Sequence, residues 1–297
     1  MTYSIVARDP RTGEMGVAVQ SHYFSVGSVV TWARAGVGAV ATQSITEPRY
    51  GPLGLELMAA GKSAPEALKA LVAADPTPEV RQVAMIDSKG RTAAHTGRRC
   101  IPCAGHTIGN GVSCQGNIMR TRRVWGAMRR DFERNRKLPL PERLISALEA
   151  AEAAGGDARG KQSAAILVVS GEVGAADWGG RVVELRIEDH PEPLNELKRL
   201  MRYRRAYDWV DKGDSEIASG KPSAALRSYE RALGLVPEID EIKYWVGISL
   251  LTTRGRERGL ALLREVFASD SAYVRLTKEI IKAGSLPIDP SVKRAFP

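Results

Sequence analysis

The sequence predicts an α+β protein: a four-layer αββα sandwich over residues 1–190, then an all-α helical domain. Three observations carry this. The chain opens on a β-hairpin. Blocks of strand-like and helix-like sequence then follow as strands, two helices, strands, two helices, strands. From Ala206 the hydrophobic pattern changes to a long repeat. Two facing sheets, each with a helix pair on its outside, account for the block order, because every apolar sheet face then finds a partner.

The hairpin is the most informative segment. Thr2-Tyr-Ser-Ile-Val-Ala-Arg and Glu14-Met-Gly-Val-Ala-Val-Gln-Ser21 flank Asp9-Pro-Arg-Thr-Gly13, a strand–turn–strand pattern. It pins Thr2 and Ser4, two hydroxyl residues, at the start of an ordered strand. Residues 28–32 and 37–44 read as two more strands, with small residues Gly36, Gly38 and Ala39 suiting close packing. Two helices follow. Residues 53–60 end at Gly61, a C-terminal cap residue, and residues 64–73 begin on the Ser63/Glu66 capping-box pair. Residues 80–86 and 91–96 form a second hairpin about Ser88-Lys-Gly90, and the glycine-rich stretch 105–116 holds another strand pair. Residues 119–135 carry a helical stripe of Val124, Trp125, Met128 and Phe132. Residues 141–154 are a helix with proline in its first turn, 155–160 a linker, and 163–170 and 181–187 the last two strands.

Beyond these, residues 191–205 read as a connecting helix. Trp209, Gly213, Ala225, Tyr229, Ala232 and Pro237 fall at the spacings of the tetratricopeptide repeat, whose period is 34 residues. A shift by one period carries Gly213 to Gly247, Ala225 to Gly259, Tyr229 to Leu263 and Ala232 to Val266, so a tetratricopeptide-like module is expected over 206–275, with 276–297 as a tail. Two repeats bury too little to stand alone, so the module is expected to lean on the first domain or on another copy.

Composition bounds the function. Hydrophobic residues make up 43% and charged residues 26%, the proportions of an ordinary globular protein. No apolar run approaches the ~20 residues that span a bilayer, and no charged-then-apolar leader opens the chain. Three cysteines are too few for a disulfide scaffold, and a cytoplasmic setting is expected. Net charge is +9, which permits anionic partners without requiring them. The basic face formed by Arg120, Arg122, Arg123, Arg129, Arg130, Arg134, Arg136 and Lys137 is interrupted by Asp131 and Glu133, and its aromatics belong to the apolar stripe. It reads as a solvated face or subunit contact rather than a nucleic-acid footprint.

Several motifs together resemble a known family. Thr2-Tyr-Ser-Ile-Val-Ala-Arg-Asp, Thr12-Gly-Glu and Gly16-Val-Ala-Val-Gln-Ser21 are similar to the opening of domain of unknown function 1028. So are Ala35-Gly-Val-Gly-Ala-Val-Ala-Thr-Gln43, Tyr50-Gly, His95-Thr-Gly97, Ala104-Gly-His106 and Gln115-Gly-Asn117. The resemblance spans residue 2 to about 190 and implies an N-terminal-nucleophile (Ntn) hydrolase-like sandwich, without bringing a settled reaction.

On that resemblance, removal of Met1 would expose Thr2, whose hydroxyl could attack an amide carbonyl with its own α-amine as base. Ser4 is a fallback nucleophile. Similarity to the proteasome-type hairpin places Gln20 or Ser21 where those enzymes keep an acid, while their helper lysine has no counterpart, the first lysine being Lys62. The competing reading makes Thr2 the first residue of an edge strand. Glu47 is a candidate general base and Arg49 a carboxylate clamp; the alternative is a surface turn with a local ion pair. Gln43, Gln115 and Asn117 are candidate amide donors to a polar ligand, and His106 a candidate ligand or proton carrier.

Cys100, Cys103, His106 and Cys114 could offer zinc four ligands, but their spacing matches no common zinc site, so no metal and no cofactor are expected. The expected function is hydrolysis of an amide or related C–N bond in a small molecule or peptide, within a homo-oligomer, with a protein partner possible at the repeats. The alternative is a non-catalytic binding or scaffold protein of the same fold.

Overall fold

A computed structural model of the chain describes residues 2–173, 180–251, 253, 255–284 and 290–296. By internal packing it divides into two units, Met1–Lys198 and Arg199–Pro297.

The first unit is mixed α and β with two antiparallel sheets. Strands β1 (Thr2–Arg8), β2 (Met15–Ser21), β7 (Gly105–Gly109), β8 (Val112–Asn117), β9 (Ser163–Val169) and β10 (Arg181–Ile187) form a six-stranded sheet of order β10-β9-β2-β1-β8-β7. Strands β3 (Thr31–Arg34), β4 (Gly38–Ser44), β5 (Arg81–Asp87) and β6 (Thr92–Thr96) form a four-stranded sheet in sequence order. Because β1 lies between β2 and β8, Thr2 begins a central strand and not an edge strand.

Helices α2 (Tyr50–Ala59) and α3 (Ala64–Ala74) cover the outer face of the four-stranded sheet, where Val40, Val83 and Met85 meet Leu55, Met58 and Leu68. Helices α4 (Val124–Arg134) and α5 (Leu140–Ala153) cover the outer face of the six-stranded sheet. The two inner faces meet through Val6, Val17 and Val19 on one side and Ala39, Ala41, Ala84 and Ile86 on the other. The alternation within each strand sends these residues inward and their neighbours to the helix layers. The small side chains on the four-stranded sheet let the two sheets approach closely.

Local differences from the sequence expectation have local causes. The stretch expected as a strand at 28–32 begins as a short helix, α1 (Gly27–Val30), before β3. Ser28 Oγ donates to Ser25 O (2.7 Å) and Thr31 Oγ1 to Gly27 O (2.8 Å), side-chain bonds that compete with a sheet ladder. The helix expected from 119 starts at Val124, since Thr121 Oγ1 is engaged with Ala154 O (2.7 Å). The α3 capping box forms as expected: Ser63 N donates to Glu66 Oε2 (2.8 Å) and Glu66 N to Ser63 Oγ (3.3 Å).

The C-terminal region is helical. The segment expected as a separate connecting helix at 191–205 is the start of one long helix, α6 (Pro193–Ala218). It is followed by α7 (Pro222–Leu235), α8 (Asp240–Leu250), α9 (Arg256–Ser269) and α10 (Ser271–Ala283). Ala225, Tyr229 and Ala232 are buried in one apolar cluster with Ala206, Val246 and Leu250. A second cluster holds Leu260, Leu263, Val266 and Phe267. Of the expected tail at 276–297, the first residues belong to α10, and 285–289 and 297 lie outside the described residues. Residues Pro290–Ala295 form a 3-10 turn whose Val292 and Ala295 are buried in that second cluster.

Candidate functional site

The layer between the sheets changes character along its length. Inward positions run Val6, Ser4, Thr2 on β1 and Val17, Val19, Ser21 on β2. They run Leu167, Ala165, Ser163 on β9, Ala39, Ala41, Gln43 on β4, and Ile86, Ala84, Gln82 on β5. The register of β1 with β8 adds Asn117 opposite Thr2 and Gln115 opposite Ser4. One end of the layer is therefore apolar, and the other gathers hydroxyls and amides from six strands.

Most of those groups bond one another across the sheets, as buried polar groups do, while Gln115 Oε1 has no partner among the described residues. Ser4 Oγ donates to Gln43 Oε1 (2.7 Å) and accepts from Gln115 Nε2 (3.2 Å). Gln43 Nε2 donates to Thr2 O (3.0 Å) and to Gln82 Oε1 (2.8 Å). Gln82 is the centre. Its carbonyl also accepts from Asn117 Nδ2 (2.9 Å), while its amide nitrogen reaches Thr96 Oγ1 (3.0 Å), Gly105 O (3.1 Å) and Gly116 O (2.9 Å). Thr96 Oγ1 lies 2.8 Å from His106 Nδ1. Either a bare Nδ1 accepts the Thr96 hydroxyl proton or a protonated Nδ1 donates to the Thr96 oxygen, which has two lone pairs. Burial, with His95 nearby, holds the His106 pKa below the ordinary histidine value, in keeping with a neutral ring.

Thr2 stands at the border of this network. It is only 3% exposed, yet it lines a cleft of about 380 Å³ together with Tyr23, Val26, Val29, Val30, Ser44, Ile45, Thr46 and Pro48. Its hydroxyl lies 3.1 Å from Ser21 Oγ. The loop carrying Tyr23 and Val26 is fixed by Ser163, whose Oγ donates to Tyr23 O (2.5 Å) and accepts from Val26 N (3.1 Å). Ser44, at the end of β4, holds φ +77°, a backbone state costly for a residue with a Cβ and commonest where function demands it.

The expected site residues separate into three groups. Thr2, Ser4, Ser21, Gln43, Gln115, Asn117 and His106 belong to the inter-sheet layer. Of these, Ser4 is fully buried with its hydroxyl engaged on both sides, so it is no accessible nucleophile. Gln20 is on the wrong face: it pairs with Tyr3, and both point to the helix layer, where Gln20 meets the Tyr3 hydroxyl and Tyr3 Oη donates to Glu152 Oε2 (2.9 Å). Period-two alternation forces this, because a face that receives Thr2 and Ser21 cannot receive Gln20.

Glu47 and Arg49 form the third group and line a different hollow of about 130 Å³, with Tyr50 and Asp75. Arg49 grips Glu47 through Nε (3.0 Å) and Nη2 (2.8 Å), and this hydrogen bonding holds the Glu47 carboxyl below its ordinary range. That is the ion-paired surface turn, not a base aimed at Thr2.

The cysteine–histidine set does not converge. Register places His106 opposite Gln115 on the inner face and Cys114 opposite Thr107 on the outer face. Cys100 Sγ is turned to Arg81 O (3.2 Å), and among the described residues no three metal-ligating side chains cluster. Gln82, Thr96, Ser163, Ser44 and Tyr23 are the members sequence reading missed. Gln82 had one signal: it breaks an otherwise apolar inward series, Ile86 and Ala84, at the position where Gln43 breaks the series on β4.

Comparison with known proteins follows this division. The model of the family of unknown function DUF1028 matches residues 2–197. The crystal structure of protein SPO2555 from Silicibacter pomeroyi, also assigned to DUF1028, is similar with a TM-score of 0.61 and 30% sequence identity. The match covers 68% of this chain and 88% of that one. A search of curated proteins finds no match.

Proposed function

The chain belongs to the DUF1028 family, whose function is unknown, and we propose that this member hydrolyses an amide or related C–N bond in a small molecule or peptide, with the Thr2 hydroxyl as nucleophile. The observation that carries the reading is the placement of Thr2. Its hydroxyl is nearly buried, lines a cleft, and sits at the first position of a central strand whose carbonyl is held by Gln43. A side chain so fixed loses little freedom on reaction, which is the entropic basis of nucleophile positioning.

The step needs Thr2 to carry a free amine, so Met1 must be removed. The amine takes the Oγ proton as the Oγ–C bond forms at the substrate carbonyl. That proton passes to the leaving nitrogen as the C–N bond breaks. Water then hydrolyses the acyl ester, again with the amine as base, and restores Thr2. The order of helix pair, four-stranded sheet, six-stranded sheet and helix pair supports an Ntn-hydrolase-like sandwich as the frame. A panel of carboxamides scored by ammonia release, beside intact-mass measurement of the N-terminus, tests this. Thr2→Ala should lower turnover by at least ~10³-fold, and Thr2→Ser should keep much of it. Undiminished turnover in Thr2→Ala, or active protein that retains Met1, sinks the reading.

One observation favours the alternative of a non-catalytic ligand-binding or scaffold protein: the Thr2 hydroxyl is bonded to another hydroxyl, Ser21, rather than to an ionisable base. A retained Met1 with saturable ligand binding is its signature.

For the second unit the reading is a tetratricopeptide-like docking module. Gly213 packs on Tyr229 and Gly247 on Leu263, the same contact one 34-residue period apart. Assembly into a homo-oligomer and docking of a protein partner through these helices belong to the same proposal. Among the described residues no helix is long and apolar enough to cross a membrane. The three unpaired cysteines fit a reducing, cytoplasmic setting.

A further inference from the structure

Among the described residues, the walls of the Thr2 cleft carry no charged side chain. Beyond the hydroxyls of Thr2, Ser44 and Thr46, they are Val26, Val29, Val30, Ile45, Pro48 and Tyr23. Two of these, Tyr23 and Ile45, are each 55% exposed, and the adjoining Phe24 is 63% exposed. Large apolar side chains held in water at the mouth of a cleft mark a surface built to be covered. A volume of about 380 Å³ is within the ~300–1,000 Å³ of small-molecule sites.

We propose that this cleft selects a neutral carboxamide whose acyl side chain is branched aliphatic or aromatic. The inference rests on the reading of Thr2 as nucleophile only for where the scissile bond lies; the selection itself follows from the walls. The polar edge, Thr2 with Ser44 and Thr46, offers hydroxyls to the amide group. The valines and Ile45 take the acyl side chain. A charged side chain would lose its water against the valines and Ile45, and the one basic group that the reading places in the cleft, the Thr2 α-amine, is engaged at the scissile bond, so the penalty is not offset. Each methylene that fits adds about tenfold in selection. The exposed rim is an alternative subunit contact, and the experiment separates the two.

The full-length Thr2→Ala protein, whose turnover is expected to be at least ~10³-fold lower, is titrated by calorimetry with five N-acetylated amino-acid amides: phenylalanine, leucine, alanine, aspartate and lysine. Phenylalanine and leucine amides should bind at least tenfold tighter than alanine amide, and the aspartate and lysine amides at least ~100-fold weaker than leucine amide. Ile45→Glu and Tyr23→Glu, at exposed positions that leave the fold intact, should each weaken leucine amide at least tenfold. Equal binding of charged and apolar amides, absence of saturable binding by any of them, or apolar binding untouched by both variants overturns the proposal. So does a change in oligomeric mass, by light scattering, as the only effect of Tyr23→Glu. The wild-type protein is assayed in parallel for ammonia release. Apolar-selective binding without ammonia release retains this inference and sinks the nucleophile reading. Ammonia released equally from charged amides does the reverse.

Discussion

Gln82 joins the two sheets through five side-chain hydrogen bonds. Its side chain is fully buried and touches groups from β4, β6, β7 and β8. Gln82→Leu keeps the volume and removes every bond, leaving Gln43 Nε2, Asn117 Nδ2 and two backbone carbonyls short of partners in a dry layer. Each orphaned group costs about 1–3 kcal/mol, partly relieved by relaxation, so a loss of at least ~3 kcal/mol is expected in urea unfolding. A loss below ~1 kcal/mol would show that the network closes without it. Residue by residue, what was legible followed from alternation. Thr2, Ser4 and Ser21 share a face because a hairpin of this length pairs Thr2 with Ser21. Gln20 was misplaced for want of the same rule, and Gln82 left only the break in its apolar inward series, because its partners are distant in sequence.

Among the elements, the helices were legible where capping chemistry or close-packed small residues wrote them, and illegible where side chains bonded locally. Ser63 with Glu66 announced α3. Nothing in residues 191–205 marked a break before Ala206, and α6 has none. Glycines of the second unit test the packing of helices directly. A Cβ on Gly213 would lie 2.3 Å from the Tyr229 ring, and the ring cannot swing aside while its hydroxyl is held by Asp214 (2.6 Å). A Cβ on Gly247 would lie 2.9 Å from Leu263 Cγ and 3.2 Å from Gly259 O. Gly234, inside α7, faces nothing within 4 Å. Alanine therefore has opposite effects at these sites. Gly213→Ala and Gly247→Ala should destabilise by ~1–3 kcal/mol through overpacking, Gly213 the more. Gly234→Ala should stabilise by about 0.5–1 kcal/mol by restricting the unfolded chain. Helix melts by circular dichroism read all three. A stabilising Gly213→Ala would mean that α6 and α7 do not approach as described.

For the whole molecule the consequence is acid sensitivity in two steps. His106 has a folded pKa below the ordinary value near 6.5, so the unfolded chain takes the proton more readily. Its contribution is complete above pH ~6.5 and is lost as the pH falls through that range. A protonated Nδ1 can only donate to Thr96, so the Thr96 hydroxyl proton must then point elsewhere. The second step belongs to carboxylates. Burial alone would raise Asp75, but hydrogen bonds from Arg81, the Thr77 amide and Tyr50 outweigh it and lower its pKa to about 2. Asp9, fully buried against Arg11 and Arg143, is lowered in the same way despite its burial. Depressed carboxylates stabilise above pH ~4 and lose that contribution as the pH falls towards the folded values. For Asp75 this is about 1–2 kcal/mol after solvent screening. The net charge of +9 at pH 7 grows through both steps, and its self-repulsion acts in the same direction. Salt separates the causes, because ~0.5 M NaCl screens diffuse repulsion but not contacts at 3 Å. Unfolding free energy measured from pH 8 to pH 3 should fall once near pH 6 and again below pH 4, with both falls persisting in salt. His106→Gln should remove the first and Asp75→Asn should blunt the second. A flat profile between pH 7 and 5, or a first fall unchanged in His106→Gln, would mean that the inter-sheet network does not sense this histidine.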